Sequence, residues 1–182
     1  MDAATLSHQI KLALPFAKPF KGICYRNVGP KYYASGALST EGSKRVGGRF
    51  NPKGLGLLYL SCDLHTCIEE TTKSLSQTAD AVATALPRLF FAVEVKLSRV
   101  LDLTDETVRQ SLGVTEAQLT AKDWSEIQSS GQEALTQSIG WLAQAAGFEG
   151  LLVPSAVFQG KNLNIFIDDL IPPAYVKMLP PA

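Results

Sequence analysis

The 182-residue sequence lacks most of the parts that mark the common function classes. Cysteine is scarce: Cys24, Cys62 and Cys67 are odd in number and form no CxxC, which argues against a disulfide framework and fits a reduced, cytoplasmic setting. Only His8 and His65 could add imidazole ligands, and neither has ligand spacing, so no metal site is expected. Net charge is absent too. Seventeen bases balance seventeen acids, so no overall field draws the chain to nucleic acid or to an anionic membrane. No apolar run reaches the roughly 20 residues of a membrane span. Ile10 to Phe20, interrupted by lysines and prolines, does not read as a signal peptide. GxGxxG, GxxxxGK[ST] and GxSxG are all missing, which removes the usual signs of a dinucleotide fold, a P-loop and a hydrolase elbow.

What is present is a composition of 46% hydrophobic and 19% charged residues, that of a soluble globular protein with a sizeable core. The length fits one domain spanning 1–182. Positive charge is local, at Lys44, Arg45, Arg49 and Lys53, in a glycine-rich stretch that runs from 44 into an apolar strand ending at 61. Glycine lets backbone approach a ligand and arginine presents a fork of donors, so the stretch suits a phosphate cradle. A solvated hairpin loop has the same composition, and the residues alone leave both readings open.

Along the chain, residues 1–20 read as an amphipathic lead-in ending at Pro15 and Pro19. Strands are expected at 22–28, 57–61, 89–97, 150–153 and 163–167. The long connection 29–56 reads as loop, of the length that usually serves function. Asp63 is placed to cap a helix over 64–75 with Leu64, Cys67, Ile68 and Leu75 as its inner stripe, followed by a loose helix end and linker over 76–87. A short helix starts at Thr104-Asp105-Glu106 and stops at Gly113; another starts at Thr115 with Gln118 completing a capping box. A longer helix is expected from Gln132 to Ala146, stopped by Gly147. Phe90, Phe91, Trp141 and Phe166 read as core, and the proline-rich tail after 171 as irregular chain. Strands that follow one another without helices between them point to α+β rather than a doubly wound fold.

Tyr25-Arg26, Gly47-Gly48-Arg49-Phe50-Asn51 with Gly54 and Tyr59, Glu70 on a helix, and Val153-Pro154-Ser155-Ala156 occur in that order across about 22–168. This ordered set resembles the RES-domain family, named for its Arg, Glu and Ser. Two departures stand out. Phe50 replaces the tryptophan usual after Gly-Gly-Arg, and Ile167 runs into Asp168-Asp169 where the family often has Asn-Pro.

The resemblance implies a fold related to ADP-ribosyltransferase toxins, with a split β-sheet core and flanking helices. It implies cleavage of the nicotinamide–ribose bond of NAD⁺, as substrate, by the toxin of a toxin–antitoxin pair. Its implied partner is a helix-turn-helix (Xre-type) antitoxin, and a homodimer within the complex is admitted. It assigns Arg26, Glu70 and Ser155 to catalysis, and Tyr25, Gly48, Arg49, Asn51 and Tyr59 to NAD⁺ binding.

That chemistry needs only one carboxylate. The leaving nicotinamide is a cationic pyridinium that departs neutral, so the general acid of ordinary glycosidases is not required. A carboxylate beside the oxocarbenium-like ribose suffices. Glu70 matches the family's glutamate, and Glu69, about 100° around the helix, is its competitor. Arg26 and Arg49 would hold the pyrophosphate or an attacking phosphate, Tyr25 or Tyr59 would stack on a ring, and Ser155 would bond a ribose or phosphate oxygen. The blander readings are an edge-strand arginine, a core tyrosine and a turn serine. The acceptor, water or phosphate, is not fixed by these residues. Transfer of ADP-ribose to a protein and a non-catalytic binding module are the alternatives.

Overall fold

The computed structural model describes residues 2–75 and 86–180. The elements are α1 (Ala3–Ala13), β1 (Lys18–Val28), α2 (Pro30–Gly36), α3 (Glu41–Val46), β2 (Leu58–Ser61), α4 (Leu64–Leu75) and β3 (Leu89–Asp102). They continue with α5 (Glu106–Ser111), α6 (Glu116–Thr120), α7 (Trp124–Ser129), α8 (Leu135–Ala146), β4 (Gly150–Pro154), β5 (Lys161–Ile165) and β6 (Tyr175–Met178). The class is α+β, as expected.

The sheet, expected to be split, is closed. β3 is long enough to pair with three strands: antiparallel to β1 from Leu89 to Val100, parallel to β4 from Val100 to Asp102, and antiparallel to β6 from Val93 to Lys96. The remaining order, β1-β2-β5-β4, completes a barrel. The cause lies in β1 and β3, which run to 11 and 14 residues, well past the apolar alternation that marks their centres. Closure pairs β1 with β3 and, among the described residues, leaves β6, bonded to β3 alone, as the strand with an open side.

Inward residues follow the period of two. Cys24, Leu58, Leu60, Val93, Val95, Leu163 and Ile165 are buried in one cluster. A second core forms where the opposite faces of the strands meet α1 and α8, with Ile10, Leu57, Ile139, Leu142, Leu151 and Val153 buried together. Burying side chains of this size is worth about 1.5–3 kcal/mol each. Gly147, in the left-handed region at φ 93°, ends α8 as expected. The three cysteines are free thiols.

Several local expectations need correction. Phe90 points outward at 41% exposure, because Phe91 takes the inward position of the alternation. Ile68 and Leu64 are exposed, and the buried positions of α4 are Thr66, Cys67 and Thr71, a polar face. The tail forms β6, whose backbone finds the flank of β3 that β4 leaves uncovered. The connection 29–56 carries the short helices α2 and α3, and α7 lies where no helix was expected. The linker expected over 76–87 lies largely outside the described residues.

Candidate active site

Glu70 sits in the second turn of α4, and the sequence explains why this helix is held so firmly. Asp63 Oδ1 accepts from the Thr66 amide at 2.8 Å and its Oδ2 from the Thr66 hydroxyl at 2.6 Å, which caps the helix start. The polar inner face then fits the barrel rim. Asn27 Nδ2 of β1 donates to Thr71 Oγ1 at 2.6 Å. Glu70 follows the same face, while Glu69 turns away to meet His65 Nε2 at 3.6 Å. The two glutamates differ in placement: Glu70 lines two cavities and Glu69 lines neither of them.

One oxygen of Glu70 is fixed. Oε1 accepts from Ser155 Oγ at 2.7 Å and from Asn162 Nδ2 at 2.7 Å. Ser155 Oγ in turn accepts from the amides of Val157 and Phe158, both at 3.2 Å. Asn162 Oδ1 accepts from Ser61 Oγ at 2.9 Å, which ties the carboxylate to β2 and β5. With its proton given to Glu70 and both acceptor sites used, the Ser155 hydroxyl is fully engaged by protein groups in this structure.

On one side of Glu70 lies a cavity of about 270 Å³ lined by Tyr25, Arg26, Asn27, Tyr59 and Arg88. It adjoins a larger chamber of about 730 Å³, which shares Arg26 and Arg88 and adds Lys44 and Arg45. Arg26 Nη2 donates to the Ser39 carbonyl at 3.1 Å, whereas its Nη1 is buried and has no partner among the described residues. Burial, then the neighbouring Arg88, push the Arg26 pKa down to about 10. Arg88 Nε donates to Asn27 Oδ1 at 2.7 Å, so each of the two cations is bound by a neutral group. A half-buried guanidinium with an unmet donor next to a second one is complementary to an anion.

On the other side lies a cavity of about 290 Å³ lined by Arg49, Phe50, Tyr59, Trp124, Val153 and Asn164, among others. Arg49 Nη1 donates to the Ala121 carbonyl. Its pKa is lowered by burial, with Glu70 and Tyr59 acting against the shift.

The Gly-Gly-Arg loop owes its shape to residues that were expected at the ligand. Asn51, fully buried, donates to the carbonyls of Ser43 and Leu55 at 2.9 and 2.8 Å. The Tyr59 hydroxyl donates to Asn51 Oδ1 at 2.6 Å and accepts from the Phe50 amide at 3.1 Å. Burial pushes the Tyr59 phenol pKa up. A Cβ on Gly48 would stand 2.5 Å from the Tyr59 hydroxyl. Gly48 and Asn51 therefore brace the loop from beneath, while the Tyr59 ring reaches both cavities. Sequence reasoning missed Asn27, Arg88, Asn162 and Asn164; Asn27 directly follows the Tyr25-Arg26 pair, and the other three sit on a strand or at a strand entrance with no motif around them.

The RES domain family model matches residues 23–177. The chain belongs to the RES-domain family. This RES protein is 36% identical over 135 residues to the proteins named NAD(+) phosphorylase MbcT of Mycobacterium bovis and Mycobacterium tuberculosis, an overlap that covers 71% of this chain and 70% of theirs. Its fold is similar to a chain in the crystal structure of the M. tuberculosis MbcT-MbcA toxin-antitoxin complex. The TM-score is 0.72 and the identity 26%, over 97% of this chain and 90% of that one. Among the described residues, no helix of this RES protein is long and apolar enough to cross a membrane.

Proposed function

We propose that this RES protein is the toxin of a toxin–antitoxin pair and cleaves the nicotinamide–ribose bond of NAD⁺ by phosphorolysis. The observation that carries the reading is a single oriented carboxylate, Glu70, between an arginine pair and an aromatic cavity. Relatives named NAD(+) phosphorylase support the substrate and the acceptor.

NAD⁺ suits the residues present. The unmet Arg26 Nη1, with Arg88 beside it, is complementary to the diphosphate. Lys44 and Arg45 extend the positive wall in the direction of the adenosine half. The ribose then lies at Glu70, and the nicotinamide ring enters the cavity of Phe50, Tyr59 and Trp124. Loss of nicotinamide places positive charge on the ribose, and the fixed carboxylate stabilises that charge more than it stabilises the ground state. Ser155 and Asn162 act through Glu70, since the Ser155 hydroxyl and one N–H of Asn162 are both given to Oε1. A phosphate dianion attacking the ribose yields ADP-ribose bearing a phosphate ester in place of nicotinamide.

The rest of the reading rests on the family. The partner is an antitoxin of helix-turn-helix (Xre) type, and the complex admits a toxin homodimer acting in the cytoplasm. Residues 1–182 form one unit related to ADP-ribosyltransferase toxins. The test is product analysis after incubating purified protein with NAD⁺, with and without phosphate. NAD⁺ loss that requires phosphate and yields the phosphorylated ADP-ribose is the expected result. Free ADP-ribose at equal rate in both buffers would replace phosphorolysis by hydrolysis. Unchanged NAD⁺ in both would overturn the reading.

A further inference from the structure

Asn164 is the most deeply buried polar side chain that lines the aromatic cavity, at 1% exposure. Neither its Oδ1 nor its Nδ2 has a hydrogen-bond partner among the described residues. It lies on β5, opposite Tyr59 of β2 and Leu151 of β4, and shares a face with Asn162 two residues away. A leucine in this place would leave no polar group unmet beside the core residues Val153 and Phe50, which line the same cavity. An amide whose donor and acceptor are both unmet costs about 1–3 kcal/mol per group. Such a group in an otherwise well-satisfied strand calls for a reason.

The geometry points to Asn164 as the residue that recognises the carboxamide of nicotinamide. This rests on the NAD⁺ reading above and deepens it. A primary carboxamide offers one C=O acceptor and an NH₂ donor, which is the complement of the Asn164 amide; two such groups pair through N–H···O bonds in both directions. The walls suit the ring. Phe50, Tyr59 and Trp124 supply aromatic contact, and Val153 and Pro154 supply apolar contact. A volume of about 290 Å³ is ample for a one-ring ligand. Glu70 lines the same cavity, so a ring seated against Asn164 shares that cavity with the carboxylate. Asn164 is thus a specificity-determining residue, distinct from the arginines that hold phosphate.

The test uses free nicotinamide and 3-acetylpyridine, which keeps the carbonyl and replaces NH₂ by methyl. Trp124 lines the cavity, so its fluorescence reports binding without turnover. Wild type is expected to bind nicotinamide about tenfold or more tightly than 3-acetylpyridine, the size of one unmade hydrogen bond. Asn164→Leu, close in volume, is expected to bind the two equally and to unfold at the same temperature or higher. Equal affinities in wild type, no binding of nicotinamide, or an Asn164→Leu variant that still discriminates would each overturn the assignment and leave a buried water as the partner of Asn164. NAD⁺ turnover is scored separately. A protein that discriminates the two rings yet leaves NAD⁺ intact would keep this inference and refute the proposed reaction.

Discussion

Ser155 Oγ lies 2.7 Å from Glu70 Oε1, and the Ser155 hydroxyl is the donor because the amides of Val157 and Phe158 occupy its acceptor side. On the proposed reaction, the serine that names the family with its arginine and glutamate would work through the carboxylate in this chain. Ser155→Ala should lower kcat about 10–100-fold with KM changed little, since the ground-state contacts to NAD⁺ are untouched. It should also cost about 1–3 kcal/mol of stability, because two amides at a buried site lose their acceptor. Steady-state kinetics and urea unfolding of the same variant check both halves. A rise in KM alone would place Ser155 on the substrate instead.

The arginine pair should behave in the opposite way. Arg88→Ala and Arg26→Ala each remove a charge-assisted bond to phosphate, worth about 1.5–3 kcal/mol. The expected effect is a 10–100-fold rise in KM for NAD⁺, with Arg26→Ala the more severe. Rising ionic strength should raise the wild-type KM and affect the double variant less. Equal salt dependence in wild type and double variant would contradict the anion site.

Gly140 of α8 sits against the loop that carries Arg49. A Cβ there would fall 1.7 Å from the Phe50 carbonyl oxygen, a backbone atom that cannot swing aside. Gly140→Ala should destabilise by about 1–3 kcal/mol or more despite its gain in helix propensity, and should shift Arg49. Thermal unfolding reads the first effect, and loss of NAD⁺ turnover the second.

The cap of α4 sets a pH dependence. Asp63, on the surface, has its carboxyl pKa lowered by the Thr66 hydroxyl and amide. A carboxyl lowered on folding adds stability above its unfolded value of 3.8, and that contribution fades as pH falls through the lower folded value. Asp63→Ala should cost about 1 kcal/mol at neutral pH and progressively less on acidification. Urea midpoints at pH 7 and pH 3 check the sign.

Much of the site was legible in the sequence because its order is unusual: Arg26, the Gly-Gly-Arg loop and Glu70 are recognisable by neighbours as well as by identity. The helix caps at Asp63 and Thr115 were legible for local reasons, being set within three residues. Barrel closure was not. It depends on where β3 meets both β1 and β4, partners 50 or more residues away in the chain. The asparagines stayed hidden for a related reason. Asn162 and Asn164 look like ordinary polar breaks in a short strand until Glu70, Tyr59 and the second cavity are brought against them. Asn51 shows another limit: its place in the motif suggests ligand contact, and only the folded chain adds that its amide braces the loop through the Ser43 and Leu55 carbonyls.

The most direct measurement is NAD⁺ consumption in phosphate buffer by wild type, Glu70→Gln and Glu69→Gln. Gln keeps the size of the side chain and can still accept from Ser155 and Asn162, so only the charge beside the ribose is removed. The account predicts rapid loss with wild type and Glu69→Gln, and a fall of at least about 100-fold, the size of a lost electrostatic contact in a closed site, with Glu70→Gln. Undiminished turnover by Glu70→Gln, or loss confined to Glu69→Gln, would contradict it.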